Sequence, residues 1–300
     1  MENQKLIQQS NKLFFKSLKN YFLLTKPKVL TLLIFTSVSG AFLAKQGIPN
    51  LFELTGLLIG GYCASGSAAT LNMYFETDVD QNMGRTKNRP IADGSISPNK
   101  ALVFAIFLAI LSFISLYILN NFLAAILAFM GGFFYVGIYT LYLKKRTVQN
   151  IVIGGAAGAF PPLVGYASIS NSITLEAIYL FVIIFFWTPP HFWALAIYRK
   201  DEYAKESIPM LPVTHGVAFT KLQIVLYTVI LFIVSLLPYV VLMSGLIYLV
   251  SALILSSVFL YYSVSLYYSD SDEDAMRTFQ FSIYYIFLIF LALLLDHFII

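Results

Sequence analysis

Leu54-Thr-Gly-Leu-Leu-Ile-Gly-Gly-Tyr-Cys63-Ala-Ser-Gly-Ser-Ala-Ala-Thr-Leu-Asn72-Met-Tyr-Phe-Glu76-Thr-Asp78-Val-Asp80 joins an apolar run long enough to cross a bilayer to a sudden concentration of charge. The chain then runs on as Arg85-Thr-Lys87-Asn-Arg89-Pro90. Three carboxylates and an amide fall within nine residues, followed at once by three cations. If the helix continues through the run, Asn72, Glu76 and Asp80 stand at i, i+4 and i+8 and share one face over roughly 12 Å of axis. Acids gathered at a membrane boundary repel one another unless a cation lies among them, and carboxylate oxygens suit Mg²⁺. Arg85, Lys87 and Arg89 suit phosphate oxygens. Carboxylates, metal and cations together describe a diphosphate site.

The rest of the chain places that site in a membrane. Its 300 residues are 59% hydrophobic and 11% charged, with a mean hydropathy of +0.78, whereas soluble domains carry about 25% charged residues. Nine apolar stretches are long enough to span: about 29–45, 54–75, 99–118, 121–142, 150–168, 174–197, 221–243, 246–268 and 280–299. The fifth is the weakest, being short and carrying Pro161-Pro162. A barrel would alternate over runs of about ten residues, and no such pattern is present. The expected fold is all-α: a polytopic helix bundle of about nine transmembrane helices around a central cavity. Residues 1–28 form a tail and 29–300 a single intramembrane domain.

Charge sets the orientation. Of the 19 Lys and Arg, all except Lys45 lie in the tail or in the loops after spans 2, 4, 6 and 8. The positive-inside rule puts the N-terminus and those loops in the cytoplasm and the C-terminus outside, in a cell (cytoplasmic) membrane. The net charge of +4 is this one-sided decoration. No basic run interleaved with exposed aromatics is present, so nucleic acid is not the partner. The tail carries Lys5, Lys12, Lys16 and Lys19 without a cleavage-site pattern, and reads as a retained segment or surface helix. A lone Cys63 forms neither an intrachain disulfide nor a metal site.

The two longer loops, 76–98 and 198–218, each follow an even-numbered span and mix acids, bases and prolines. They hint at a duplicated four-helix unit, spans 1–4 and 5–8, with the ninth added. The second loop opens inside span 6 as Trp187-Thr-Pro189-Pro190-His191-Phe-Trp193 and continues through Arg199-Lys-Asp201-Glu202-Tyr203. Two prolines predict a break or kink, tolerated where a cavity is lined. His191 could be an axial haem ligand, a general base or a partner of freed carbonyls. His215 lies near a boundary. Asp201 and Glu202 could hold a second Mg²⁺ or form a solvated loop. Lys144-Lys145-Arg146 has the form of a topological anchor, and Asp270–Asp274 that of a solvated turn. Gly154, Gly155 and Gly158 offer a packing face. Tyr74, Phe75 or Tyr139 could shield a carbocation with their π faces.

Asn72-x-x-x-Glu76-x-x-x-Asp80 resembles the first acidic motif of the UbiA superfamily of intramembrane prenyltransferases. Further stretches resemble the protohaem IX farnesyltransferases, or haem O synthases: Thr25-Lys-Pro27-Lys28, Asp78-Val-Asp80 through Pro90, Tyr139-Thr140-x-x-Leu143-Lys144, Gln149-Asn150 through Pro162, Thr188-Pro-Pro-His191-Phe-Trp, and Ile208 through Gly216. The match is in register from about 20 to 220. Two positions differ from the common pattern: Glu76 stands where many members have Asp, and Arg199-x-x-Glu202-Tyr203 where Arg-x-x-Asp-Tyr is common.

The resemblance implies a nine-helix enzyme that transfers farnesyl from farnesyl diphosphate to the 2-vinyl group of haem B, adding water to give haem O. It implies a catalytic Mg²⁺ on Glu76 and Asp80, with Asp78 a further candidate ligand, and a second on Asp201 or Glu202. Asn72 would orient the metal or a phosphate oxygen. Arg85, Lys87 and Arg89, with Lys145 or Arg146, would stabilise the leaving group. Arg199 and Tyr203 join the substrate site, and His191 would meet haem. The implied partners are farnesyl diphosphate, haem B, membrane lipid and enzymes that mature haem further. A UbiA-type enzyme acting on a small aromatic acceptor would share the diphosphate site without explaining Thr188–His191. A transporter would place its acids mid-span, without cations beside them.

Overall fold

The computed structural model describes residues 15–45 and 47–299. Helix α1 is Phe15–Leu24, α2 Pro27–Leu43, α3 Leu51–Phe75, α4 Thr77–Asn82, α5 Pro98–Leu119 and α6 Phe122–Leu143. They are followed by α7 Asn150–Ser170, α8 Leu175–Tyr198, α9 Lys200–Lys205, α10 Leu211–Thr214, α11 Val217–Val240, α12 Leu246–Tyr268 and α13 Asp272–Ile299. Among the described residues, eight helices are long and apolar enough to cross a membrane. The count is nine when α1 and α2, bent by 54° to each other, are taken as one span. The all-α bundle expected from hydropathy is what forms, because only a helix satisfies its own backbone in lipid.

Each span packs on the next in sequence, and α13 closes back on α2. The most extensive further contacts cross the ring, α2 with α7 and α8 with α13. The α2–α7 crossing depends on missing side chains. A Cβ on Gly165 would overlap the Ser37 backbone, and one on Gly40 would overlap the Pro162 carbonyl. Backbones can approach this closely only where glycine stands. Between α3 and α5, serine hydroxyls join the helices: Ser112 donates to the Gly60 carbonyl at 2.7 Å and Ser67 to that of Ala105 at 2.8 Å.

The duplication hinted at by the loops is visible in the helix starts. Asn150 of α7 lies 123 residues after Pro27 of α2, Leu175 of α8 lies 124 after Leu51 of α3, and Leu246 of α12 lies 124 after Phe122 of α6. The short helices repeat as well: α9 begins 123 residues after α4, and both are six residues long. The residue at each break has nearly the same backbone, Glu76 at φ −106°, ψ 14° and Arg199 at φ −109°, ψ 18°.

Three sequence expectations change. Pro189-Pro190 does not break α8, which is helical from Leu175 to Tyr198. Burial of Trp187 through His191 holds this turn, and the Thr188 hydroxyl bonds the Ile184 carbonyl at 2.8 Å. The acids Asp272, Glu273 and Asp274 are not a loop but the first turn of α13, where the helix dipole favours them. The tail does not stop short of the domain at residue 28. Leu24 and Thr25 are buried, and the Thr25 hydroxyl lies 2.9 Å from that of Tyr62 on α3.

Candidate active site at the loop end of the bundle

Asn72, Glu76 and Asp80 do share a face, although the helix is interrupted between them. The Glu76 N–H still donates to the Asn72 carbonyl at 3.0 Å, and the Asp80 N–H to that of Glu76 at 2.8 Å. The i, i+4 rhythm therefore passes through the break at Glu76. All three side chains are buried: Asn72 is 3% exposed, Glu76 7% and Asp80 2%.

Each polar head has a cation. One Arg89 guanidinium nitrogen donates to both Asp80 oxygens at 2.6 and 2.7 Å. The loop holds this geometry by its own bonds, the buried Thr86 hydroxyl donating to the Asp80 carbonyl at 3.1 Å. Lys144 donates to Glu76 at 2.5 Å. Lys26 donates to the Asn72 oxygen at 2.6 Å, and the Asn72 amide donates to the Thr140 hydroxyl at 3.1 Å. Lys26 sits between α1 and α2 in the left-handed region, φ 54°, immediately before Pro27. That strained turn carries its side chain to α3. Burial, then Arg89, pushes its pKa down to about 7.

The sequence did not single out Lys26 or Lys144 as site residues, and it favoured Lys145 or Arg146. Those two are exposed, with Arg146 lying over the Tyr142 ring at 4.7 Å. The reason is local. From Phe134 to Leu143 the helix widens to a π-helix, with Lys144 N–H bonded to the Tyr139 carbonyl and the Thr140 hydroxyl to that of Tyr135. The wider turn puts Tyr135, Thr140 and Lys144 on the face toward α3, where Tyr135 stacks with Tyr139 at 5.8 Å. An α-helical count from Tyr135 would instead have brought Arg146 to that face. π segments often mark functional sites, and nothing in the residue types announces this one.

Other expected members separate. Asp78 is exposed, as two residues from Asp80 on a helix requires, and Lys87 is exposed too. Arg85 is exposed, yet its charge acts on the Tyr203 phenol in the other loop. Tyr203 is buried, which raises its pKa, and it lies in the combined field of Arg85, Glu202, Glu76 and Arg199. Charges of both loops thus act on the same phenol. Of the two acids in the second loop, Asp201 is exposed, whereas Glu202 pairs with Arg199. The remaining Glu202 oxygen and Arg199 Nε are enclosed without partners. Among the described residues no three His, Cys, Asp or Glu side chains already form a metal-ligand group.

His191 lies deeper, between α8 and α13. Its ring stacks on Trp187 at 4.2 Å and on Phe279 at 4.6 Å, and Nδ1 lies 2.6 Å from the Ser282 hydroxyl. His215 is exposed and meets Thr214 only locally. Phe75 is exposed and Tyr74 packs against it and the apolar cluster of Leu24 and Met73, which leaves Tyr139 as the candidate aromatic wall beside the acids.

The UbiA prenyltransferase family model matches residues 32–294. Curated relatives include "Protoheme IX farnesyltransferase" of Colwellia psychrerythraea, 49% identical over 284 residues, covering 95% of this chain and 93% of that protein. "Protoheme IX farnesyltransferase 1" of Pseudomonas putida is 50% identical over 281 residues, covering 93% and 94%. Among solved structures, a digeranylgeranylglyceryl phosphate synthase superposes with a TM-score of 0.79 at 20% identity, covering 95% of this chain and 99% of the other. A UbiA homologue from Archaeoglobus fulgidus bound to GPP and Mg²⁺ gives 0.60 at 17%, covering 91% and 99%. These structures share the fold. With its helix order, its paired acids and cations, and a family match across nearly the whole bundle, the chain belongs to the UbiA prenyltransferase family.

Proposed function

We propose that this chain is a haem farnesyltransferase, joining the farnesyl group of farnesyl diphosphate to the 2-vinyl group of haem B and adding water to form haem O. The observation that carries the acceptor is identity near one half, over 93–95% of the chain, with proteins named protoheme IX farnesyltransferase. The geometry supports the chemistry. Three cations, Lys26, Arg89 and Lys144, stand over three acceptors at one end of a membrane bundle. A diphosphate can take those donors over while the acids turn to a metal.

The residues fit Mg²⁺. Glu76 and Asp80 are buried one helical turn apart, and Glu202 has an enclosed oxygen without a partner. Glu76 and Asp80 would hold an ion on the first loop and Glu202 one on the second, and each would supply charge neutralisation of the diphosphate. The chain's own groups do the rest. Lys26, Arg89 and Lys144 bind phosphate oxygens, and Arg85 adds charge at the rim. Asn72, fixed between Lys26 and Thr140, orients the nearest oxygen. Charge grows on the leaving group as the C–O bond breaks, so donors placed in advance lower that barrier most. Tyr135 and Tyr139 wall the allylic cation. The terminal vinyl carbon then forms the C–C bond, water adds to the adjacent carbon with loss of a proton, and diphosphate leaves. His191 meets the haem. The basic loops lie on the cytoplasmic side, and the C-terminus lies outside.

The test is turnover in membranes carrying the protein, supplied with farnesyl diphosphate, haem B and Mg²⁺. Haem O in the extract is the expected product. Farnesylation of a small aromatic acid in place of haem B would overturn the acceptor.

A further inference from the structure

Ser282 of α13 meets His191 in a way that fixes more than position. The serine hydroxyl has one hydrogen, and it is directed to the Phe279 carbonyl at 2.6 Å, as a serine in a helix often bonds back along its own turn. With that hydrogen on the carbonyl, the serine oxygen accepts from His191 at 2.6 Å, the arrangement of the tautomer that carries its proton on Nδ1. A neutral imidazole protonated at Nδ1 has its lone pair on Nε2. That nitrogen has no hydrogen-bond partner among the described residues, and it is not fully enclosed, unlike the unpartnered Trp193 Nε1 two residues on.

The ring is also held against rotation. Trp187 and Phe279 stack on its two sides at interplanar angles of 22° and 29°, and the Trp187 N–H donates to the Ser282 carbonyl at 2.7 Å. A histidine that only satisfied a freed helix carbonyl would bond within α8. This one bonds across to α13 and leaves its basic nitrogen unused.

We propose that Ser282 is a positioning residue for haem. By accepting the Nδ1 proton of His191 it fixes the tautomer that presents Nε2 to the haem iron. Histidines that bind metal generally donate their other N–H to such a partner, which sets orientation and raises ligand basicity. The inference rests on the reading that haem is the acceptor and that His191 meets it. Ser282 touches neither substrate and acts through the imidazole.

The experiment uses the full chain purified in detergent, reconstituted with haem B and reduced, as wild type and as His191→Ala, Ser282→Ala and Ser282→Thr. The readouts are haem affinity and the iron–histidine stretching band in the resonance Raman spectrum. Ser282→Ala should weaken haem binding about 10- to 100-fold and move the band to lower frequency. Ser282→Thr, which keeps the hydroxyl, should restore both. His191→Ala should lose the band. A merely structural serine would alter thermal stability without moving the band. If His191→Ala keeps the wild-type band, the underlying placement of His191 at the iron fails. If His191→Ala loses it while Ser282→Ala keeps both frequency and affinity, the placement stands and the role of Ser282 is overturned. Failure of the threonine variant to restore a band lost in the alanine variant also overturns it.

Discussion

Lys144→Met separates the two duties of the Glu76–Lys144 pair. The Glu76 side chain is 7% and the Lys144 side chain 13% exposed, so water screens the pair weakly. Removing the ammonium leaves a carboxylate buried between α3 and α6 with no cation. Breaking a buried pair from one side costs about 3–5 kcal/mol, because the surviving charge keeps its desolvation penalty. The double variant Glu76→Gln with Lys144→Met buries only neutral groups and should regain most of that loss. Activity should not follow. Losing a preorganised donor to the developing charge lowers turnover about 10²–10³-fold, and the double variant also lacks the acid. Thermal unfolding in detergent, run beside haem O formation in membranes, separates the two outcomes. The same substitution at exposed Lys145 should change stability by no more than about 0.5 kcal/mol. Wild-type stability in Lys144→Met, or no recovery in the double variant, would refute a buried pair at this position.

Asp80→Asn should insert and fold yet form no haem O, since Arg89 keeps a partner while a metal ligand is lost; near-native product in the presence of Mg²⁺ would remove Asp80 from the site. Gly165→Leu should destabilise the bundle by about 1–3 kcal/mol or more, because any side chain there meets the Ser37 backbone; an unchanged Tm would contradict the α2–α7 crossing. In a Cys63→Ala background, cysteines at Asn88 and Asn99 should react with impermeant reagent only from the cytoplasmic side, and one at Asn171 only from outside. Labelling of all three from one face would refute the orientation.

What the sequence made legible followed from period and hydropathy. Asn72, Glu76 and Asp80 announce their shared face because acids are costly at a membrane boundary and their spacing is helical. Lys144 is hidden because its placement depends on a π segment, Phe134–Leu143, that an α-helical count cannot register. Lys26 is hidden for another reason. It lies far along the chain from Asn72, and only the left-handed turn before Pro27 brings the two together. Asp78 and Lys87 looked equivalent to their neighbours because composition does not say which side of a short helix faces inward. The prolines of α8 misled in the opposite sense, since tertiary burial held a helix that propensity alone would break.

The duplicated break explains why one loop's chemistry could be read more readily than the other's. At 123 residues of offset, Arg199 stands where Glu76 stands, and Tyr203 where Asp80 stands. The backbone at Arg199 and Glu76 differs by only a few degrees, so the fold presents side chains from equivalent places in both units. The residues there have diverged to opposite charge and to a neutral phenol. In the first unit the acids belong to the repeating helical face and can be found by periodicity. In the second, Glu202 occupies the position of Val79, which in the first unit is buried among apolar side chains. Its carboxylate therefore lies off the periodic face, paired with Arg199. A repeat in the backbone need not be a repeat in the side chains, and here the fold supplies two like frames that carry unlike residues.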